Sequence, residues 1–131
     1  EDLKDMDGRI AIAETETVPV GQYTKQTLEN LNMWDDIQDK VVTAKDVKAT
    51  LAYVDQGEVD AGFVYKSDAE QAKSSDISVE VDNSLHDRIL YPQAIVSASE
   101  NKENAKKFLE FLKTDEAKAV FEKFGFKVVE D

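Results

Sequence analysis

The chain has 131 residues, which suits one modest domain or slightly more, and 41% of them are hydrophobic, so a packed core can form. Twenty-eight acidic residues against 16 basic ones give a formal net charge of −12, which disfavours nucleic acid and anionic lipid as partners. The absence of cysteine excludes disulfides, thiolate metal sites and cysteine nucleophiles. No apolar run reaches the ~18 residues of a membrane span, and nothing resembles a signal peptide. Because the chain begins with Glu1, we expect a processed or trimmed product.

Short apolar runs alternate with longer amphipathic stretches along the first two thirds of the chain. Residues 9–13 (RIAIA) predict a buried strand, and residues from about 20 to 31 predict a helix that follows a turn ending at Pro19. Val41 and Val42 begin a second predicted strand.

A second helix is predicted by its start signal and its stop signal. Thr43 and Asp46 stand three apart, as in a capping box with Asp in place of the usual Glu. Gly57 is expected to end the helix in the left-handed conformation. The apolar positions between these signals are Val47, Leu51 and Val54.

A third strand and a short helix follow. Residues 61–65 (AGFVY) predict a near-continuous apolar strand, and Ser67 with Glu70 predicts a capping box. The alternation of apolar residues over 77–81 predicts a further strand with one solvated face. Residues 89–96 are apolar but contain Pro92, which indicates an edge strand or one that bends.

The last third of the chain predicts two helices. The first has apolar residues at helical spacing on one face, namely Ala105, Phe108, Leu109 and Leu112. Thr114 is expected to cap the second, which Gly125 ends. The inward positions of the second are predicted to be Ala117, Val120, Phe121 and Phe124. Strand–helix alternation favours an α/β fold with a largely parallel sheet, but no strand follows these two helices, so their phenylalanines need another partner surface.

Catalytic signatures are weak throughout the sequence. His86 lies in a polar stretch without a nucleophile-elbow serine, so we expect a surface or local structural role for it. The acidic residues show no paired-carboxylate pattern, and no HExxH, P-loop or GxGxxG motif occurs. Trp34, at the end of the first long helix, is expected to be a packing anchor and not a ligand platform.

Two helix starts are more informative about function. The first turn of a helix has backbone N–H groups without intrahelical acceptors, and with the helix dipole they can bind an anion. The starts at Pro19–Val20–Gly21 and at Asp46–Val47 both follow predicted strands. In a parallel sheet such starts lie at the carboxyl edge, where ligands usually bind. Most helix starts bind only water or a cap, so this feature alone does not assign a site.

Three stretches resemble periplasmic molybdate-binding proteins, the ligand-capturing subunits of ABC importers. The first, ETVPVGQYTKQTLENLNMW, is similar to the family segment ETVPAGxYAKxAL with its Trp-containing turn, although Val20 replaces the usual alanine. The second, AKDVKATLAYVDQGEVDAGFVYKSDA, is similar to ENVRxxLxxVExGEADAGIVYxSDA. The third comprises ILYPQAIV, ENAKKFLEFL and EAKAVFEKFGF. The resemblance runs from about residue 9 to residue 126 and corresponds to the C-terminal half of the family.

The resemblance implies a periplasmic-binding-protein-like fold of type II, with two α/β lobes and a ligand cleft. Residues 1–88 would form most of the second lobe, with a largely parallel sheet flanked by helices. Residues 89–97 would be the crossing strand and hinge. Residues 98–131 would be helices that pack on the first lobe, to which nothing in this chain corresponds.

The resemblance also implies three ligand-binding residues. Val20 and Val47 align with positions whose backbone N–H groups bind the oxyanion, and Tyr65 aligns with a tyrosine whose hydroxyl donates to it. The ligand would be molybdate or tungstate, bound as an oxyanion with no cofactor, no metal-coordinating residue and no catalysis. Delivery would be to the membrane permease of an ABC importer, from the periplasm or the outer face of the membrane. A lipoprotein is one form that the resemblance implies for the full-length protein.

Three other interpretations stay open at this stage. One is the effector-binding domain of a transcription regulator with a similar two-lobed fold, which a basic winged helix upstream would favour. Another is a relative that binds sulfate or a phosphonate, and the third is a hydrolase that uses scattered carboxylates. We also expect this chain to bind molybdate weakly and to self-associate, with exchange of the C-terminal helices about a hinge near Tyr91 and Pro92.

Overall fold

The computed structural model describes residues 2–129, except the side chain of Asp2, and divides into two compact units. The first unit runs up to Arg88 and the second begins at Ile89. The predicted parts 1–88 and 98–131 include residues 1, 130 and 131, which lie outside the described residues. The assignment of these parts to two lobes stays a prediction.

A three-stranded parallel sheet forms the centre of the first unit. Its strands are β1 (Ile10–Ala13), β2 (Val41–Ala44) and β3 (Ala61–Gly62), in the order β2-β1-β3. All four residues of β1 are buried, because a central parallel strand has both faces covered. Ile10 pairs with Val41 on one side and with Ala61 on the other, so the three strands start level and end at one edge.

Helices cover this sheet and build the core of the first unit. They are α1 (Asp2–Asp5), α2 (Pro19–Asn30), α3 (Val47–Asp55) and α4 (Lys66–Ala69), with 3-10 turns at Asp35–Lys40 and Asn83–Leu85. The buried core cluster consists of Ile10, Ile12, Leu28, Met33 and Ile37. Trp34 packs against this cluster, as predicted, and the Lys25 ammonium lies 5.6 Å from its ring centre. Among residues 2–129, no helix is both long enough and apolar enough to cross a membrane.

The start of α3 differs from the prediction, whereas its end agrees with it. Asp46 is the cap residue, and its Oδ1 accepts a hydrogen bond from the backbone N–H of Ala49 at 2.8 Å. Thr43 is not part of a capping box, because it belongs to β2 and pairs with Ile12. Gly57 has φ of +70° just beyond the end of α3, the left-handed geometry expected of it.

One predicted strand is shorter than expected, and one predicted cap and one further predicted strand are wrong. The strand predicted over 61–65 stops at Gly62, and α4 begins with Tyr65 as its cap residue, so Ser67 lies inside the helix and caps nothing. Residues 77–81 form no strand, and the Val79 side chain is 77% exposed. A strand needs a hydrogen-bonded neighbour, and the described sheet supplies none for this segment.

The second unit consists of two helices and an irregular lead. Residues 89–96 form no strand, so this part of the prediction is wrong, and Leu90 and Val96 are exposed. The helices are α5 (Lys102–Leu112) and α6 (Asp115–Lys123), which contact each other. Thr114 caps α6 as predicted, because its hydroxyl accepts from the N–H of Ala117 at 3.3 Å.

The second unit leaves most of its apolar face uncovered. Of the positions predicted to point inward on α6, only Ala117 is buried. The others are between 38% and 53% exposed, namely Val120, Phe121 and Phe124. Phe108 and Phe111 of α5 are also exposed. Two helices alone offer each other too little surface to bury both faces, which is why the inward prediction fails for these residues.

Candidate anion-binding site

All three predicted ligand-binding residues lie on segments that leave the carboxyl edge of the sheet. Val47 follows β2, Val20 follows β1 and Tyr65 follows β3, in the lateral order of the three strands. Val20 is the second residue of α2, Val47 is the first residue of α3, and Tyr65 caps α4. The parallel topology therefore directs two helix starts and one tyrosine toward the same edge, where open α/β sheets hold their ligands.

The start of α2 approaches the end of β1 very closely. A Cβ atom at Gly21 would lie 2.3 Å from the carbonyl oxygens of both Ala13 and Glu14, so only glycine fits here. Val20 is 5% exposed. Among the described residues, the N–H of Val20 has no hydrogen-bond acceptor, and the first backbone bond of the helix runs from Gln22 N–H to the carbonyl of Val18, at 3.1 Å. The Val20 N–H is therefore an unused donor.

The turn before α2 is organised by one carboxylate. Glu14 accepts from the backbone N–H of Glu16 at 3.1 Å to each oxygen, and from the N–H and hydroxyl of Thr17 at 2.7 and 2.5 Å. The Thr17 hydroxyl, followed by the N–H groups of Glu16 and Thr17, holds the pKa of Glu14 below its usual value. Glu14 is therefore an ionised side chain whose donors all come from the turn that follows it.

The start of α3 is also organised by one carboxylate, that of the cap residue Asp46, which accepts from one backbone N–H. The Asp46 carboxylate accepts a hydrogen bond from the N–H of Ala49. The Asp46 carbonyl accepts hydrogen bonds from both the N–H and the hydroxyl of Thr50, each at 3.1 Å. Among the described residues, the N–H of Val47 has no acceptor. Thr50 is fully buried, and a Cβ at Gly62 would meet it at 3.2 Å, so α3 packs directly on β3.

Tyr65 is partly buried and connects β3 to α4. Its backbone is extended, with φ −70° and ψ 152°, and its carbonyl accepts from the N–H groups of Asp68 and Ala69 at 3.0 Å each. These bonds fix the main chain of Tyr65 between a paired strand and a helix turn. The side chain is thereby attached to a defined point of the sheet edge.

Charged side chains of both signs surround these segments. Lys48 lies in the first turn of α3, and burial raises the pKa of Asp68 while the nearby Lys48 opposes that rise. Lys66 pairs with Glu80 at 3.0 Å. The cations near the edge thus have acidic neighbours, and recognition of an anion there depends on backbone dipoles more than on free positive charge.

A separate polar cavity of about 320 Å3 lies along the second half of α2. Its lining consists of Gln26, Glu29, Asn30, Ser84, His86 and Asp87, so none of the three predicted residues contributes. The His86 ring packs 5.8 Å from the Tyr23 ring, and its Nδ1 lies 2.8 Å from the Asp87 carbonyl, which is the local structural role predicted for it. No group of His, Asp and Glu among residues 2–129 is arranged to hold a metal ion.

The sequence profile of a family described as bacterial extracellular solute-binding protein matches residues 1–127. The chain belongs to this family. Its fold agrees with solved structures. The chain superposes with a TM-score of 0.89 and 43% identity on a substrate-binding domain from Clostridium difficile that is assigned provisionally to a molybdenum ABC transporter. That match covers 98% of this chain and 57% of the other. The periplasmic molybdate-binding protein of Azotobacter vinelandii shares the fold, with a TM-score of 0.80 at 24% identity, over 98% of this chain and 58% of that protein.

Curated relatives show the same extent of similarity. The chain is 46% identical over 118 residues to YvgL of Bacillus subtilis, named provisionally as an ABC transporter substrate-binding lipoprotein, and covers 45% of that protein. It is 35% identical over 121 residues to the molybdate-binding protein ModA of Escherichia coli, covering 92% of this chain and 47% of ModA. The chain therefore spans about half the length of the curated relatives it matches. The resemblance and the fold class predicted from the sequence are confirmed.

Proposed function

We propose that this chain contributes part of an oxyanion site that captures molybdate for an ABC importer. The observation that carries the proposal is the placement of two unused helix-start N–H groups, at Val20 and Val47, on adjacent segments of one sheet edge. Relatives that are 35% and 32% identical to this chain are named molybdate-binding proteins, which supports molybdate as the ligand.

The proposed mechanism is recognition by neutral dipoles. The N–H groups of Val20 and Val47 and the hydroxyl of Tyr65 donate to the oxygens of a tetrahedral dianion, and each charge-assisted bond contributes about 1.5–3 kcal/mol. A site lined only by donors disfavours a protonated anion such as hydrogen phosphate, whose own O–H would find no acceptor. Tungstate has the same charge and shape as molybdate and is expected to bind at the same place.

The site is proposed to be incomplete in this chain. Residues 1–88 form most of one lobe, residues 89–97 connect the lobes, and residues 98–131 pack on a first lobe that supplies the remaining ligand groups. The absence of two or three charge-assisted bonds costs on the order of 3–9 kcal/mol, so binding by the chain alone is weak. The complete protein hands its ligand to a membrane permease and works without catalysis or a cofactor, in the periplasm or, as a lipoprotein, at the outer face of the membrane.

Titration followed by amide NMR tests this function directly on the chain. Sodium molybdate at millimolar concentrations is expected to shift the amide signals of Val20 and Val47, with saturation, while sodium phosphate at the same ionic strength leaves them in place. Amides remote from the edge, such as that of Ala117, provide the internal control. Molybdate shifts that spread over the surface without Val20 and Val47 would contradict the proposed site.

We also propose that, when the chain is studied on its own, a second copy covers the apolar face of α5 and α6 in place of that first lobe. With about 200 Å2 per aromatic side chain, the half-exposed rings of this face present roughly 400 Å2, about half of the ~800 Å2 per partner in a stable interface. These rings belong to Phe108, Phe111, Phe121 and Phe124. Residues 89–131 carry seven of the basic and eight of the acidic residues, so charge repulsion between copies is small here.

Light scattering across a range of concentrations tests this association. A dimer is expected for the wild type, and Phe108→Ser with Phe111→Ser is expected to shift it toward the monomer. Lys106→Ser, at an exposed position of the same helix, is the matched control. A wild-type chain that stays monomeric at high concentration would refute the proposal, whether or not the chain binds molybdate.

A further inference from the structure

The turn between β1 and α2 is an anion-binding turn that the chain fills with its own carboxylate. Successive N–H groups in a turn form a concavity that attracts an anion. Here the Glu14 carboxylate occupies that concavity. It accepts hydrogen bonds from the N–H groups of Glu16 and Thr17 and from the Thr17 hydroxyl. The Glu14 carbonyl accepts a further hydrogen bond from the N–H of Val18 at 3.2 Å.

The donors that remain define what the turn offers to a ligand. Pro19 has no N–H, and the N–H groups of Glu16, Thr17 and Val18 are occupied by Glu14. The first donor after them is the N–H of Val20, which has no acceptor among the described residues. Glu14 thus occupies the N–H groups that precede Pro19 and leaves the N–H of Val20 unused.

We propose that Glu14 is a positioning residue for the oxyanion site: its carboxylate saturates the turn and fixes the direction of the Val20 N–H. The inference rests on the proposed function, because it assigns the Val20 N–H to the ligand. Glu14 itself does not touch the anion; it acts through the turn.

The main chain around Glu14 leaves little freedom for that turn to move. The N–H of Glu14 donates to the carbonyl of Ala44 at 2.9 Å, which ties the end of β1 to the end of β2. On the other side, Gly21 lies against the carbonyls of Ala13 and Glu14 so closely that no Cβ fits between them. Both ends of the turn are therefore fixed, and the carboxylate determines the conformation between them.

The amide of glutamine replaces this carboxylate only in part. The N–H of Glu16 reaches both oxygens of Glu14, and the two Thr17 donors reach Oε2, so donors face both positions of the group. Glutamine offers an acceptor at one position and two further donors at the other. With the amide oxygen at the Oε2 position, the Thr17 contacts remain, but the N–H of Glu16 also lies 3.1 Å from the amide nitrogen. In the reverse orientation the two Thr17 donors face the amide nitrogen. The turn is therefore weakened, because a charged acceptor becomes a neutral one with a donor beside it.

Glu16 is the matched control because it carries the same side chain in the same turn. It is exposed, and its carboxylate makes no hydrogen bond or ion pair among the described residues. Glu16→Gln removes the same charge two residues away and leaves the contacts of Glu14 intact. Any effect of the global charge on anion binding therefore appears equally in both variants.

The experiment combines hydrogen exchange without ligand and molybdate titration of the whole chain, both followed by amide NMR. We expect Glu14→Gln to accelerate exchange at the amides of Glu16 and Thr17 and to weaken molybdate binding on the order of tenfold, as outer hydrogen-bond partners of metal ligands do. Glu16→Gln should change neither, and Glu14→Asp should recover most of the affinity, since it keeps a carboxylate for the turn.

The outcomes separate this inference from the proposed function. Equal affinity of Glu14→Gln and wild type, or equal losses in Glu14→Asp and Glu14→Gln, would overturn the positioning role while the molybdate site stands. Unchanged hydrogen exchange at the amides of Glu16 and Thr17 in Glu14→Gln would also overturn the positioning role, and this measurement needs no ligand. A wild type whose Val20 amide ignores molybdate refutes the proposed function instead. Thermal unfolding monitors folding, and Glu14→Asp keeps the test decisive if the glutamine variant unfolds.

Discussion

Gly21→Ala tests whether the close approach of α2 to β1 is required. The added methyl group would lie 2.3 Å from two carbonyl oxygens, and separation to about 3.0 Å demands that the helix start move by roughly 0.7 Å. Both obstacles are backbone atoms, so no side chain can turn aside. Overpacking of this kind costs about 1–3 kcal/mol, whereas alanine in a helix is favoured over glycine by ~1 kcal/mol. We therefore expect a net loss of up to ~2 kcal/mol.

Urea unfolding followed by circular dichroism measures that loss, and amide NMR measures its effect on molybdate binding. The displacement also moves the Val20 N–H, so the affinity should fall by more than the folded fraction accounts for. Glu29→Ala, at an exposed position of the same helix, is the control for a general effect of alanine. A Gly21→Ala chain that is more stable by the ~1 kcal/mol of helix propensity and binds equally well would show that the approach is not constrained.

Substitutions at Val20, Tyr65 and Asp55 examine separate parts of the site and fold. Val20→Ala should bind molybdate like the wild type, because the donor is the main-chain N–H. Val20→Pro should abolish binding, because proline fits the first turn of a helix but has no N–H. Equal losses of affinity in the two variants, measured by calorimetry, would refute main-chain recognition. In a reconstituted full-length protein, Tyr65→Phe should weaken molybdate binding by roughly 1–3 kcal/mol, and unchanged affinity in calorimetry would remove Tyr65 from the site. Hydrogen bonds from Ser75 and then Lys73 lower the pKa of Asp55, so its stabilisation is present above its unfolded pKa and is lost as the pH falls through the lower folded value. Asp55→Asn should therefore lower the melting temperature at neutral pH and flatten its decrease at acidic pH, and an unchanged acid profile would contradict this.

Local signals in the sequence predict those parts of the fold that local interactions determine. The buried run of β1, the stop at Gly57 and the cap at Thr114 depend on neighbours a few residues away, and all three are present. The two helix starts at Pro19 and Asp46 are predicted for the same reason. Candidate residues at these starts can be located because a helix start exposes N–H groups wherever it forms.

Pairing between distant segments explains what the sequence alone does not predict. Residues 77–81 alternate as a strand does, but alternation does not supply a neighbouring strand. The contacts that hold residues 85–87 against α2 join positions far apart in the chain, for example Gln26 Nε2 to the Asp87 carboxylate at 2.9 Å. The role of Glu14 is local, but no standard capping or turn signature uses a glutamate in this way, so only the structure identifies it.

The acidic charge of the chain and the proposed binding of a dianion are compatible because they act over different distances. Most of the net charge of −12 lies on exposed side chains, whose fields water and salt screen beyond a Debye length of about 8–10 Å. The dipoles of Val20 and Val47 act at hydrogen-bond distance, where screening is slight. Ionised Glu14, the acid nearest to this edge along β1, already has four donor contacts within its own turn. A chain can therefore remain acidic and soluble while its sheet edge selects anions through oriented N–H groups.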